Sequence, residues 1–239
     1  MPASARFSTV PRSVPPRLLG LLSAVLVSAT VATVAVLPNG TAPDATPAAA
    51  RATAPVSFTF AGDSVTQASN TWSWTKYVST SRATSVGGVG RGGDTSATVA
   101  DRVTRQDADV LVVMVGVGDV RTRVGPSTVR KNISTIVGKV RARHVVVAAI
   151  PPCDVTDQAG NHVDRRAQGF VLNRSLQEYA SSRGWGWVDP FSSVRRIDNG
   201  WVAGTGKGDG VHPSVATAKR YLGPRMTVAI TQAVVGAKP

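Results

Sequence analysis

Gly62-Asp63-Ser64 stands directly behind an apolar run, and Asp209-Gly210-Val211-His212 stands near the far end of the chain. A serine hydroxyl is a weak nucleophile until a base takes its proton, and imidazole is the usual base. A carboxylate three residues before a histidine can curl back to the ring Nδ1–H. It then fixes the tautomer and stabilises the imidazolium, leaving Nε2 to accept the serine proton. Each block alone has an ordinary explanation. Gly, Asp and Ser are turn residues, and Asp-x-x-His is a common loop hydrogen bond. Together, at opposite ends of one α/β pattern, they point to nucleophilic acyl chemistry. Two glycine-rich stretches follow other strand candidates, Gly88-Val89-Gly90-Arg91-Gly92-Gly93-Asp94-Thr95 and Gly116-Val117-Gly118-Asp119. Glycine there lets backbone N–H groups approach a reacting oxygen.

The elements that must hold these blocks are read from hydrophobic periodicity. Val56 to Ala61 predicts a short strand ending at Gly62. Asp109 to Gly116 is continuously apolar after its first residue, as expected for a strand covered on both faces. His144 to Ile150 predicts a third strand, stopped by Pro151-Pro152, and Gly186 to Val188 a shorter fourth; Thr84 to Val86 gives a weaker strand signal. Helical patterns lie between them. Thr95 to Arg105 has Asp94 or Thr95 as its N-cap, Ser127 to Arg143 follows Pro126, and Asp164 to Arg183 ends at Gly184. Ser214 to Val235 reads as a last helix interrupted at Gly223-Pro224. Alternating strands and helices predict a parallel sheet covered on both faces, with any site at the carboxyl ends of the strands.

On these blocks the chain resembles the SGNH (GDSL) hydrolases, from about Val56 to the final helix. That family carries Ser in a Gly-Asp-Ser block, Gly in a Gly-Asp-Thr-like block, Asn in a Gly-x-Asn-Asp block, and a C-terminal Asp-x-x-His. Ser64, Gly93, Asp209 and His212 match in order, and Gly118 stands where the family has Asn. The resemblance implies a three-layer α/β/α sandwich with a parallel flavodoxin-like sheet. It also implies ester hydrolysis by Ser64, His212 and Asp209 without metal or other cofactor, and an oxyanion held by the Ser64 and Gly93 amides. Glycine at 118 removes a side-chain donor. Losing one such donor costs about 10²–10³ in rate, against total accelerations of about 10⁶ or more. The expected enzyme is weakened, not abolished, with the Gly118 amide, a water or Asn70 as the replacement donor. Two other readings stay open: a catalytically silent relative that binds acylated or anionic polysaccharide, and an acyltransferase of the same fold.

Other signals weigh less. Gly88-x-Gly90-x-x-Gly93 matches a dinucleotide fingerprint as a string. The strand before it is weak, though, and Asp109 begins the next strand instead of ending it. Cys153 is the single cysteine, which excludes an internal disulfide framework and a cysteine-rich metal module, and no base stands near it in sequence. His144 reads as structural and His162 as a solvated loop residue. Trp72 and Trp74 read as core, with one of them a candidate for an acyl pocket wall. Asn132 and Asn173 stand in glycosylation strings on helices and are read as chance matches.

Charge and hydropathy speak to location. Of 239 residues, 27 are Lys or Arg and 14 are Asp or Glu, a net charge of +13. Arg6, Arg12 and Arg17 precede an uncharged run from Leu18 to Leu37, long enough as a helix to cross a bilayer. Residues 1–37 therefore read as a basic leader with a signal peptide or a single-span anchor. Residues 38–55 read as a Pro/Ala/Thr-rich linker, and 56–239 as the folded domain. The expected setting is extracytoplasmic, secreted or membrane-anchored through residues 18–37. The expected partners are an acyl ester (glycan, lipid or small ester) and anionic cell-envelope polymer. No basic run interleaved with aromatics argues for nucleic acid.

Overall fold

The computed structural model describes residues 54–158 and 161–235. The leader and most of the linker lie outside them. No helix among the described residues is long and apolar enough to cross a membrane.

Five parallel strands form one sheet: β1 (Val56–Gly62), β2 (Ala83–Gly90), β3 (Val110–Met114), β4 (His144–Ala148) and β7 (Gly186–Val188), in the order β2-β1-β3-β4-β7. This is the flavodoxin-like order, with a topological switch between β1 and β3. A separate antiparallel pair, β5 (Thr156–Gln158) and β6 (Asn161–Val163), projects from the loop after β4. Among the described residues the α-helices are α1 (Ser96–Arg102), α2 (Val117–Arg121), α3 (Pro126–Val140), α4 (Arg166–Ser182), α5 (Val215–Thr217) and α6 (Gly223–Val235), with a 3-10 turn at Trp74–Tyr77.

Strand side chains alternate between two cores. Phe58, Phe60, Val110, Val112, Met114 and Val146 pack against Trp74, Leu222, Met226 and Ile230 on one face. Ala61, Leu111, Val113, Val145 and Val147 pack against Val99, Ile133, Ile136, Leu172 and Leu176 on the other. This is the three-layer sandwich that the resemblance implies. β3, central in the sheet, has no accessible side chain, which is why it reads as an unbroken apolar run.

The local differences from the sequence pattern have identifiable causes. β2 is eight residues long instead of three and runs through Gly88 and Gly90, which the sequence reading places after the strand. Its pairing with β1 slips between Phe58 and Phe60; there Gly87 has φ +95° and a Cβ on Gly88 would lie 2.2 Å from the Phe60 carbonyl oxygen. A bulge at a sheet edge needs such residues. α1 starts on a Thr95–Thr98 capping box and stops at Arg102, three residues early. α3 is preceded by Gly125 with Pro126 in its first turn, and no serine caps it. α4 starts at Arg166. The last helical region does not break at Gly223-Pro224. Ala218–Leu222 forms a π-turn that joins α5 to α6. A proline has no N–H for the preceding turn and its ring crowds a carbonyl, and a widened turn absorbs both. Gly223 also lets the helix press on Tyr77, whose carbonyl oxygen would stand 2.2 Å from an added Cβ. His162 falls in β6, a strand and not a loop.

Candidate active site

β1 delivers Ser64 to the carboxyl edge of the sheet. After Gly62 the chain turns at once: Thr66 and Gln67 N–H both donate to the Asp63 carbonyl oxygen, at 3.1 and 3.0 Å. A side chain on Gly62 would collide with Thr66 and with the Met114 carbonyl, so only glycine permits this turn against β3. Asn70 Nδ2 donates to the Ser64 carbonyl oxygen at 2.7 Å and braces the turn from the far side. That bond uses one of the two amide N–H donors of Asn70.

The loop before α5 supplies the other two groups. Gly208 and Gly210 flank Asp209 with φ of +93° and +75°, a backbone that side chains resist. The loop curls so that Asp209 Oδ1 accepts the backbone N–H of Val211 and of His212, at 2.9 and 2.8 Å. Its Oδ2 lies 2.8 Å from His212 Nδ1. Burial raises the Asp209 carboxyl, but the hydrogen bonds from the His212 backbone, the His212 ring and Val211 outweigh it and hold the group below the usual carboxylate range. A carboxylate on Nδ1 leaves Nε2 as the acceptor. Nε2 is 2.8 Å from Ser64 Oγ. Residues 148 positions apart in sequence thus meet in one hydrogen-bonded chain.

The glycine loops sit beside that chain. Gly92 N–H donates to Gln67 Oε1 at 2.7 Å, which ties this loop to the Ser64 turn. Gly93 follows with φ +83°. Among the described residues, neither the Ser64 nor the Gly93 amide has a protein acceptor. Both residues line the cleft. Gly118 lines it too, from the first turn of α2. A Cβ on Gly118 would lie 2.3 Å from the Asp94 carbonyl oxygen, 2.8 Å from its carbon and 3.1 Å from Thr95 N. No side chain fits there, asparagine included. Asp119 beside it is fully buried and accepts from Ser96 N–H and Ser96 Oγ, each at 2.7 Å, locking α1 to α2.

The cleft has a volume of about 270 Å³ and is walled by Val117, Val120, Ile150, Pro151, Pro152 and Val211, with Arg121 and Arg165 as its cations. Asp63 is buried beneath it. Burial pushes its carboxyl up to about 7, against the hydrogen bonds it accepts from Val65 and Val117 N–H. Cys153 also lines the cleft, its thiol raised by burial to about 11, which keeps it protonated and unreactive.

Of the two tryptophans read as core with one a candidate pocket wall, Trp74 is core, while Trp72 is half-buried and its ring lies 5.3 Å from that of His212, centre to centre. Lys207 beside it gave no sequence signal. Lys207 Nζ stands 3.8 Å from the Trp72 ring centre and 3.9 Å from Asp209 Oδ2. Gln67 and Arg121 were equally unmarked. Asn132 and Asn173 spend their side-chain amides on Ser96 Oγ and on the Ile150 carbonyl, as structural residues do.

Comparison with known proteins agrees with this architecture. Among curated proteins no significant sequence match exists. Solved structures match in fold. A GDSL-like lipase from Bacteroides thetaiotaomicron superposes with a TM-score of 0.59 at 19% identity, over 74% of this chain and 88% of that one. A carbohydrate acetylesterase family member from Sinorhizobium meliloti gives 0.58 at 16%, over 75% and 99%. A variant of an acetyl xylan esterase from Geobacillus stearothermophilus gives 0.56 at 17%, over 73% and 94%. The family model for GDSL-like lipases and acylhydrolases matches residues 60–220, the span that carries every block above. The chain belongs to the GDSL-like lipase/acylhydrolase family.

Proposed function

We propose that this protein is an extracytoplasmic serine esterase that cleaves acyl esters through a covalent acyl-enzyme. The observation that carries the reading is the hydrogen-bonded chain from Ser64 Oγ to His212 Nε2 and from His212 Nδ1 to Asp209 Oδ2, 2.8 Å at each step. Ser64 Oγ attacks the ester carbonyl carbon as its proton passes to Nε2, and Asp209 stabilises the imidazolium. The tetrahedral oxyanion accepts hydrogen bonds from the Ser64 and Gly93 amides. His212 then returns the proton to the leaving alcohol oxygen. A water, deprotonated by the same nitrogen, releases the acid and restores Ser64.

The acetyl esterases among the structural relatives favour a short acyl group. Esters of envelope glycans, lipids or small alcohols are the proposed substrates. The location rests on the arginines and the uncharged run of residues 1–37. The test is a fluorophosphonate probe with an aryl acetate assay on purified protein. Labelling at Ser64, and loss of both labelling and hydrolysis in Ser64→Ala, is expected. Folded wild-type protein that takes no label would refute the reading and favour a silent surface binder.

A further inference from the structure

Arg121 ends α2 and lines the cleft together with Ser64 and Gly93. Its Nη2 donates to the Gly93 carbonyl oxygen at 3.1 Å, so the guanidinium is tethered to the Gly93 loop. One of its five N–H donors is used there. Among the described residues no carboxylate pairs with it. Asp154 also lines the cleft, and its Oδ1 accepts the Trp201 N–H at 3.0 Å instead of pairing with Arg121. Asp63 is buried, and near neutral pH it carries only part of a charge. The Arg121 side chain is solvent-exposed, so its pull on an anion acts at short range and weakens with salt. A planar guanidinium fork matches a carboxylate or a phosphate.

We infer that the substrate carries its own negative charge, a carboxylate or phosphate close to the scissile ester, and that Arg121 selects it. The inference rests on Ser64 being the nucleophile. Arg121 is a specificity-determining residue here; it reads the charge of the ester and takes no part in the proton transfers.

The test compares kcat/KM for three aryl esters, each corrected for its rate with hydroxide. 4-Nitrophenyl acetate is neutral. Mono-4-nitrophenyl succinate carries its charge on the acid side, and 4-acetoxybenzoate on the alcohol side. At low salt the wild type should prefer at least one charged ester over the acetate by about tenfold, which also shows the side on which the charge belongs. Arg121→Gln should collapse that ratio, and Arg121→Lys should keep part of it. In parallel, Ser64→Ala protein is titrated calorimetrically with the two charged esters, and adding Arg121→Gln should weaken binding of the preferred one by about tenfold. Ser64-dependent hydrolysis with no charge preference would overturn the inference and leave the esterase standing. So would an Arg121→Gln variant that loses neutral and charged esters alike, which would make the guanidinium a general oxyanion donor. Hydrolysis that survives in Ser64→Ala would instead overturn the esterase reading, while the titration still judges Arg121.

Discussion

Restoring the family's asparagine at position 118 should harm this protein, and the structure says why. The family residue would bring back a third oxyanion donor, worth about 10²–10³ in rate if it reached its place. Here the new Cβ would stand 2.3 Å from the Asp94 carbonyl oxygen and 3.1 Å from Thr95 N. Those are backbone atoms, and they cannot swing away as a side-chain tip can. Either α2 moves or the Asp94–Thr95 peptide does. That peptide adjoins Gly93 on one side and the capping box of α1 on the other. Overpacking of this kind costs about 1–3 kcal/mol. For a domain of this size each kcal/mol lowers the melting temperature by about 2–4 °C. Gly118→Asn and Gly118→Ala should therefore melt lower by similar amounts, because both add the same Cβ, and neither should hydrolyse an aryl acetate faster than wild type. Thermal unfolding and steady-state kinetics on the three proteins decide the matter. A Gly118→Asn protein with an unchanged melting temperature and a rate raised a hundredfold would refute the steric argument.

Two further perturbations probe the same site. Asp209→Asn turns an amide N–H₂ toward His212 Nδ1 and favours the wrong tautomer, so kcat should fall on the order of 10⁴ with little change in KM, as aryl acetate kinetics would show. Asp63 is raised to about 7 by burial, so between about pH 4 and pH 7 the folded state binds a proton that the unfolded state has released. Wild-type stability should therefore fall across that window relative to Asp63→Asn, by up to about 4 kcal/mol at its upper end. Urea unfolding of both proteins from pH 4 to pH 8 measures the difference, and parallel curves would refute it.

The sequence revealed most where one physical signal dominated. β3 and β4 are apolar because both faces are covered, and the serine, the histidine and its aspartate stood in the blocks that the fold brings together. β2 was cut short because an exposed, bulged edge strand that is half Gly and Ser has no alternation to read. The π-turn was missed because Gly-Pro reads locally as a break, while the pressure of α6 on Tyr77 is a tertiary fact. Gly118 shows the limit most clearly. As a letter it is a lost donor, and only the position of the Asp94 carbonyl makes it a steric necessity. Trp72 and Lys207 acquired their places at His212 through loop conformations that no periodicity encodes.

The Asp209–His212 loop carries an imidazole and its carboxylate partner within four consecutive residues, held by hydrogen bonds from Asp154 N–H to the Gly210 carbonyl and from Lys207 N–H to the His212 carbonyl. The two therefore travel as one cartridge. A shift of this segment would change its separation from Ser64 while leaving the imidazole–carboxylate pair intact. Wear elsewhere in the scaffold is felt at a single joint, the contact between Ser64 Oγ and His212 Nε2.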